Sequence, residues 1–240
     1  MTKQNDKVVL IAFGGPSSSG KTTVAQTLKG LLSDATLIHL DDFYLTDSQI
    51  PIDKATGYQN WDCAEAIDFD KFTAYLLNLK SGKEQIPINS IQSNDLNLKL
   101  DPTEENTVID AINQHRDKFE GKKLVFIDGF MLFHNPDLIK LFDIELLFHA
   151  SLSTLKKRRE SRGGYTTVEG FWVDPPDYFE KIVWPAFVNS HKYLFVGENV
   201  DDKLKPEVLE KFNIYDIRND PDSSLSELVN KSLDIIIDNL

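Results

Sequence analysis

Cysteine is almost absent from the sequence, since Cys63 is the only one in 240 residues. A single cysteine cannot form an internal disulfide, which excludes a disulfide-stapled scaffold and fits a reducing compartment. Long hydrophobic runs are missing too, and stretches such as residues 8–13 are far too short to span a bilayer. Residues 1–7 are polar and lack the apolar core of a signal peptide. We therefore expect a cytoplasmic protein, with nuclear access open to it, and no membrane partner.

Positive charge is also in short supply. The chain has 26 Lys and Arg against 38 Asp and Glu, a formal net charge of −12. Nucleic acids and anionic membranes carry the same sign, so general binding to either is excluded, whereas a small anionic ligand is not. The length suits a single domain, residues 1–240, and no obligate protein partner is indicated.

The hydrophobic pattern alternates between strands and helices. Continuous apolar runs predict strands at residues 8–13, 36–40, 124–127, 144–148 and 193–196. Helical spacing predicts helices at residues 24–32, 69–79, 108–119 and 153–162, one after Asp174-Pro175-Pro176 with Asp174 as its cap, and one after the capping box Ser224–Glu227. Residues 83–101 lack regularity and fall in an irregular insert at about 83–121. This order indicates the α/β class, with a parallel central sheet of about five strands flanked by helices.

The most specific motif follows the first predicted strand. Residues 15–22 read GPSSSGKT and match G-x-x-x-x-G-K-[ST], the P-loop of nucleotide-binding proteins. Its backbone N–H groups and the following helix N-terminus suit the phosphates of ATP, while lysine reaches the phosphates and the threonine hydroxyl ligates Mg²⁺. A guanine-reading Asn-Lys-x-Asp motif is absent from the sequence, which favours ATP over GTP. The candidate ATP-binding residues here are Gly15, Ser17, Ser18, Ser19, Gly20, Lys21, Thr22 and Thr23.

Acidic residues follow two of the other predicted strands. Asp128 ends the strand at 124–127 and fits a carboxylate that holds Mg²⁺ together with Thr22. Asp41 and Asp42 follow the second strand, where one could accept a hydroxyl proton and the other would face away. A turn-forming or helix-capping Asp pair is the alternative. Trp61-Asp62 suits a flat or cationic ring beside sugar hydroxyls, although a surface Trp next to a capping Asp is equally compatible.

A basic segment opposes the acidic balance of the chain. Residues 156–162 hold five basic side chains in seven positions, and Gly163-Gly164 follows as a possible hinge. We interpret residues 153–176 as a small lid that would neutralise charge on a transferred phosphoryl group and exclude water. A solvated helix face and a nucleic-acid patch are the alternatives.

Several motifs together carry a family resemblance. GGPSSSGKTT, HLDDFY, QNWD, IDGFMLF, KKRRESR, and DPPDYF with VWP resemble the nicotinamide riboside kinases, within the uridine kinase and phosphoribulokinase superfamily. The resemblance runs from about residue 8 to about 195. It implies a P-loop NTPase fold and ATP- and Mg²⁺-dependent transfer to the ribose 5′-hydroxyl of nicotinamide riboside, feeding NAD synthesis. Nicotinic acid riboside is a plausible second substrate.

The resemblance also implies roles for individual residues. Asp41 is the general base and lies near Mg²⁺, and Lys21 and Arg158 complete the catalytic set. Arg158 and Arg162 contact ATP. The remaining substrate-binding candidates are Asp42, Phe43 and Tyr44 in the acceptor pocket, Trp61 stacked on the pyridinium ring, Asp62 on the ribose hydroxyls, Arg159 on the acceptor side, Tyr165 as the second wall of the ring site, Thr166, and Asp174 as a further contact.

The sequence departs from the family pattern in four places. Trp61 stands where the family often has Tyr, and Asp128 where some members have Glu. The segment at 163–173, between Arg162 and Asp174, is longer than in compact members. The insert at about 83–121 has no counterpart.

Three other functions fit parts of the sequence. A sibling kinase would keep the fold but phosphorylate uridine, cytidine or pantothenate. A nucleotide-binding switch would need neither Asp41 nor Asp62. A nucleic-acid-binding protein would use the basic segment, with steeply salt-dependent affinity.

Overall fold

A computed structural model describes residues 6–83, 90, 99–167 and 169–240. Its strands are β1 (Lys7–Gly14), β2 (Thr36–His39), β3 (Lys122–Gly129), β4 (Ile144–His149), β5 (Tyr165–Thr166), β6 (Phe171–Trp172) and β7 (Ile214–Arg218). Within the described ranges, five of them form a parallel sheet in the order β2-β3-β1-β4-β7, and β5 and β6 form an antiparallel hairpin. The predicted α/β class with a parallel five-stranded sheet is confirmed.

Helices pack on both faces of this sheet. They are α1 (Lys21–Leu31), α2 (Phe69–Lys80), α3 (Pro102–Gln114), α4 (Arg116–Phe119), α5 (Pro136–Ile139), α6 (Leu152–Glu160), α7 (Trp184–His191), α8 (Pro206–Phe212) and α9 (Leu225–Asn239). Shorter 3₁₀ turns occur at Leu40–Phe43, Asp47–Gln49, Ala64–Ala66, Lys192–Leu194 and Val196–Glu198, and a π-helical turn at Phe179–Val183 leads into α7. None of the helices in the described part of the chain has the length and apolar character needed to cross a membrane.

The packing of strand β1 shows why its apolar run is continuous. Leu10 and Ala12 belong to a core cluster with residues of α2 and α7, while Ile11 and Phe13 belong to a second cluster with residues of α1 and α9. Both faces of the strand are therefore buried, which requires apolar residues at every position rather than at alternate ones. A third cluster, which includes Trp61, lies where α6 meets the π-helical turn.

The parallel order brings three chain segments to one edge of the sheet. Phe13 near the end of β1 and His39 at the end of β2 are both in register with Asp128 of β3. The loop after β1, the turn after β2 and the acidic end of β3 therefore meet at the carboxyl edge, where open α/β sheets bind ligands.

The C-terminal helix α9 begins with the predicted capping box. The Ser224 hydroxyl accepts from the backbone N–H of Glu227, and the Glu227 carboxylate accepts from the backbone N–H of Ser224. Asp101 and Glu104 form a second capping box at α3. The predicted helix at 108–119 is present as α3 and α4, so residues 102–114 and 116–119 of the insert are helical. Most of the stretch predicted to be irregular, residues 83–101, lies outside the described residues.

Two local predictions are wrong. The apolar run at 193–196 is not a strand: Leu194 lies in a 3₁₀ turn and is buried with Phe195 in the core. A short apolar run fits a buried turn as well as a strand, and the fifth strand is β7 instead. Asp174 does not cap a helix, because the helical turn begins only at Phe179. Its carboxylate accepts hydrogen bonds from Arg159 instead.

Candidate active site

The P-loop forms a tight turn between β1 and α1. Gly15 and Gly20 have φ angles of 133° and 91°, in the region that favours glycine. A Cβ on Gly15 would overlap the backbone carbonyl of Phe148, and one on Gly20 would lie 2.5 Å from the side-chain amide nitrogen of Asn219. The loop therefore lies directly against the ends of β4 and β7, which fixes its curvature.

Polar groups of this turn are buried without partners from the protein. Among the described residues, the hydroxyl oxygens of Ser18 and Ser19 accept and donate no hydrogen bond. Lys21 is only 8% exposed, and burial lowers its pKa, while Asp128 and Asp41 act in the opposite direction. A cradle of unsatisfied donors beside a buried ammonium suits a polyanion.

Asp128 lies directly across from the P-loop. Its Oδ2 accepts hydrogen bonds from the Thr22 hydroxyl at 2.8 Å and from His39 Nδ1 at 2.9 Å. Its Oδ1 is buried and makes no hydrogen bond to the described residues. Burial pushes the pKa of Asp128 upward, but the His39 hydrogen bond and the Lys21 charge outweigh it, so the pKa lies below its ordinary value. The carboxylate is therefore ionised, with one oxygen left for a further ligand.

Asp41 faces the same space from the 3₁₀ turn after β2. Burial raises its pKa to about 6, the repulsion of Asp128 adds to the effect, and Lys21 opposes it. A carboxylate with such a pKa is mostly ionised at neutral pH yet accepts a proton readily.

A buried ion-pair network centred on Arg159 forms a second part of the site. Arg159 of α6 binds both oxygens of Asp62, with Nη1–Oδ1 and Nη2–Oδ2 distances of 2.9 and 3.2 Å. The same guanidinium donates to Asp174 through Nε at 2.7 Å and Nη2 at 3.1 Å. Arg159 is 5% and Asp62 6% exposed, so the pairing takes place largely out of water. Three segments far apart in sequence are thereby held together.

Aromatic rings surround this network. The ring of Tyr44 lies 5.4 Å from that of Trp61, and the ring of Trp172, from the β5–β6 hairpin, lies 5.8 Å from Trp61 on the cavity wall. The Trp172 Nε1 donates to Asp174 at 2.8 Å. Tyr165 packs against guanidinium groups instead, with Arg159 4.7 Å and Arg162 5.5 Å from its ring centre. Trp172 is thus a ring neighbour of Trp61 that the sequence motifs did not identify.

Most of these groups line one cavity of about 710 Å³. Its volume falls within the usual range for small-molecule sites. The predicted site residues on its wall are Ser17, Ser18, Gly20, Lys21, Thr22, Thr23, Asp41, Tyr44, Trp61, Asp62, Asp128, Arg159, Arg162, Tyr165 and Thr166.

Six predicted site residues lie outside the cavity wall. Gly15 and Ser19 support the P-loop from behind. Phe43 is 1% exposed and packs against Phe72 with ring centres 5.1 Å apart, so it belongs to the core rather than the acceptor pocket. Asp42 points away and accepts a hydrogen bond from Ser90 at 3.0 Å.

The other two act on neighbours of the cavity. Asp174 reaches the site only through Arg159 and Trp172. Arg158 donates to the backbone oxygen and the side-chain oxygen of Asn219 at 3.3 and 3.2 Å.

Sequence reasoning missed His39, Trp172 and Asn219. His39 opens the HLDDFY motif and lies one residue before the end of the strand predicted at 36–40, so its position near the carboxyl edge was a usable signal. Asn219 follows β7, and that strand was not predicted. Trp172 lies in a hairpin that short-range periodicity does not reveal.

Comparisons with known proteins agree with this geometry. Residues 10–162 match the model of the "Phosphoribulokinase / Uridine kinase family". The chain is 40% identical over 228 residues to a nicotinamide riboside kinase of Saccharomyces cerevisiae, covering 92% of each chain. It is 40% identical to the Schizosaccharomyces pombe enzyme of that name, covering 82% of this chain and 85% of the relative, and 37% identical to the Eremothecium gossypii one, covering 85% of each. The chain therefore belongs to the phosphoribulokinase/uridine kinase family and groups within it with the fungal nicotinamide riboside kinases.

Proposed function

We propose that this protein is an ATP-dependent kinase that phosphorylates the ribose 5′-hydroxyl of nicotinamide riboside, with nicotinic acid riboside as a second acceptor. The product would be the mononucleotide used in NAD synthesis. One observation carries the proposal: a single cavity joins the buried Lys21 of the P-loop, the carboxylate of Asp41 and the Trp61–Asp62 wall. The fungal relatives named nicotinamide riboside kinases support the choice of acceptor.

The P-loop end of the cavity binds the nucleotide. Backbone N–H groups of the turn and the start of α1 surround the phosphates, and the buried ammonium of Lys21 contacts the β- and γ-phosphates. The unpartnered hydroxyl of Ser18, on the cavity wall, is available to donate to a phosphate oxygen. Arg162 of the lid adds positive charge on the other side.

The donor set beside the P-loop fits Mg²⁺. Thr22 supplies a hydroxyl and Asp128 a buried oxygen without a hydrogen-bond partner in the described part of the chain. Those ranges contain no cluster of three or more His, Cys, Asp or Glu side chains that could hold a metal alone, so phosphate oxygens and water would complete the coordination. Bound there, Mg²⁺ would neutralise charge on the phosphates.

Asp41 serves as the general base. The in-line attack of a hydroxyl on the γ-phosphate requires an acceptor for the hydroxyl proton on the side opposite the leaving group. Asp41 lines the cavity between the P-loop and the acceptor wall, and its pKa of about 6 leaves it ionised near neutral pH.

The acceptor wall positions the riboside. Asp62 is held by Arg159, which leaves its remaining lone pairs for the ribose hydroxyls, and the Trp61 ring stacks on the pyridinium. For the acceptor ring to stack between two parallel rings, the planes of those two rings must be about 7 Å apart, which is twice the carbon contact distance of about 3.5 Å. The Trp61 and Trp172 ring centres are 5.8 Å apart and the rings are tilted by 53°, so the acceptor ring stacks between them only after Trp172 shifts.

The wider setting follows from composition and charge. The net charge of −12 supports a small-molecule acceptor rather than a nucleic acid, and a lone cysteine supports a cytoplasmic location.

An ADP-release assay over a panel of acceptors tests the proposal. Purified protein with Mg·ATP is given nicotinamide riboside, nicotinic acid riboside, uridine, cytidine or pantothenate, with Asp41→Asn as the matched inactive control. We expect release with the two pyridine ribosides. Release with uridine alone would assign a sibling kinase, and nucleotide binding with no acceptor-dependent release would favour a nucleotide switch.

A further inference from the structure

Asn219 joins three parts of the molecule that meet at the phosphate cradle, two through its side chain and one through its backbone N–H. It follows β7 and is 6% exposed. It contacts the P-loop through Ser19, the lid helix α6 through Arg158, and the end of β4 through His149. We propose that Asn219 is a positioning residue that holds the Arg158 guanidinium against the cradle and thereby strengthens nucleotide binding. The inference rests on the proposed nucleotide site, but not on the identity of the acceptor.

The contact with the P-loop fixes the asparagine amide. Its Nδ2 donates to the backbone oxygen of Ser19 at 2.8 Å in a fully buried hydrogen bond. The same nitrogen lies so close to Gly20 that any side chain there would collide with it. The amide therefore has little freedom to rotate, and its Oδ1 is aimed in a defined direction.

That oxygen and the neighbouring carbonyl receive the lid arginine. Arg158 Nη2 donates to Asn219 Oδ1 at 3.2 Å, and Nη1 donates to the Asn219 backbone oxygen at 3.3 Å. Both acceptors are neutral, so the two hydrogen bonds orient the guanidinium without cancelling its charge. Asp220, the adjacent acid, is hydrogen-bonded to Arg218, and its charge also acts on Arg158, although burial outweighs it and lowers the Arg158 pKa. The guanidinium of Arg158, outside the cavity wall in this structure, is thus fixed on the same side chain that contacts the P-loop.

The backbone of Asn219 ties this arrangement to the sheet. Its N–H donates to the backbone oxygen of His149 at 2.8 Å, which continues the pairing of β4 with β7. Arg158 belongs to the lid helix, whereas Asn219 directly follows β7, the edge strand of the sheet that pairs with β4. The link therefore anchors one lid arginine to the same rigid edge that carries the P-loop.

The chemistry at this position requires an amide. One atom must donate to a carbonyl while another accepts from a guanidinium, and the amide of Asn offers both from the two atoms of one short, planar group. An aspartate of the same size would accept from Arg158, but it would place a carboxylate oxygen against the Ser19 carbonyl. It would also neutralise the arginine and add negative charge beside the phosphates.

Titration calorimetry with Mg·ADP tests the role directly. We compare wild type with Asn219→Ala, with the isosteric Asn219→Asp, and with the control Asn230→Ala, which removes an amide bonded to the Ser226 carbonyl within α9. We expect both Asn219 variants to bind Mg·ADP about tenfold more weakly and N230A to match wild type. Steady-state kinetics should show the KM for ATP rising by a similar factor, with the KM for the acceptor within twofold. Either Asn219 variant binding Mg·ADP as tightly as wild type would overturn the proposal.

A double-mutant cycle separates positioning from a general loss of structure. If Asn219 acts through Arg158, the pair Asn219→Ala and Arg158→Ala should weaken ADP binding at least threefold less than the product of the single effects. A double variant whose loss equals that product would contradict the proposal. Because ADP binding needs no acceptor, these results stand apart from the acceptor assay: a wild type that binds Mg·ADP but phosphorylates no pyridine riboside overturns the proposed function only.

Discussion

The two ends of the cavity are built in different ways. At the phosphate end the main chain makes the site: Gly15 and Gly20 adopt φ angles that favour glycine, and the loop lies against neighbouring strands. At the acceptor end side chains make the site, because Arg159 joins Asp62 and Asp174 across 97 and 15 residues of sequence. A backbone-built site is contained in one contiguous motif, whereas a side-chain-built site exists only once the chain has folded.

The largest expected effect comes from the phosphate end. Lys21→Ala removes the buried ammonium while leaving the backbone turn in place, and we expect kcat/KM to fall on the order of 10³-fold, as for the loss of a strong transition-state contact. Initial rates of ADP release measure this. The exposed Lys29→Ala on the same helix is the control and should behave as wild type, and an equal loss in both variants would contradict the assignment.

Asp41→Asn should reduce kcat on the order of 10²-fold, because an amide cannot accept the hydroxyl proton. Since the pKa of Asp41 is about 6 and the base must be ionised, wild-type kcat/KM should rise with pH through that value. The variant should lack this rise. The control is Asp42→Asn, which changes the next residue, outside the cavity wall, and should keep nearly full turnover. If Asp42→Asn lost most of its turnover while D41N kept it, Asp42 rather than Asp41 would be the general base.

Breaking the acceptor end should affect stability as well as binding. Arg159→Ala leaves Asp62 and Asp174 without their buried partner, so we expect the free energy of unfolding to fall by about 3–5 kcal/mol. Urea denaturation measures this. The exposed Lys157→Ala serves as control and should change it by less than about 0.5 kcal/mol. A stable R159A protein would show that the network does not hold this wall together.

Trp172→Ala should act on the acceptor alone. The variant loses the aromatic face that a shifted Trp172 would present to the acceptor ring opposite Trp61, a contact worth about 0.5–1.5 kcal/mol, so the KM for nicotinamide riboside should rise about 2–12-fold. The KM for ATP should stay within twofold, which separates the two ends of the cavity kinetically. Equal changes in both KM values would argue against that separation.

The smallest effect on activity concerns Glu145 in β4. This side chain is 3% exposed, and burial raises its pKa to about 8 from an ordinary 4.5, with Asp143 adding to the effect. Between these values the folded state retains a proton that the unfolded state releases, so stability decreases as the pH rises from about 4.5 to 8.

Glu145→Gln removes this dependence. Because one pKa unit corresponds to about 1.4 kcal/mol, its stability gain over wild type should be larger at pH 8 than at pH 5 by on the order of 3–4 kcal/mol. Thermal or urea unfolding at the two pH values measures the difference. The exposed Glu210→Gln should show no such difference between the two pH values. If E145Q gains the same stability over wild type at pH 5 and at pH 8, Glu145 does not hold a proton in the folded state and the prediction is wrong.

The same contrast explains what could be predicted from sequence. Continuous apolar runs located four of the five sheet strands, and the P-loop motif placed Lys21, Thr22 and, through strand order, Asp128 at one edge. β7 was missed because its tyrosine, aspartate and arginine interrupt the apolar pattern of an edge strand. Asn219 was missed with it.

At the acceptor end the resemblance supplied candidates that local sequence could not confirm. Phe43 and Tyr44 are neighbours, yet one enters the core and the other the cavity wall, because a 3₁₀ turn ends between them. Trp172 and Tyr165 pair across a hairpin, so either could have been the ring wall until their contacts were known. These distinctions depend on turn geometry and on packing between distant segments.

The fate of the γ-phosphoryl group is the most direct test. Protein is incubated with ATP labelled on its γ-phosphate and an equal amount of nicotinamide riboside, and the products are separated and identified by mass spectrometry and phosphorus NMR. The account predicts that the label appears on the ribose 5′-oxygen of the pyridine mononucleotide, with one ADP formed for each mononucleotide. Label recovered only as inorganic phosphate, or on uridine but never on the pyridine riboside, would contradict it.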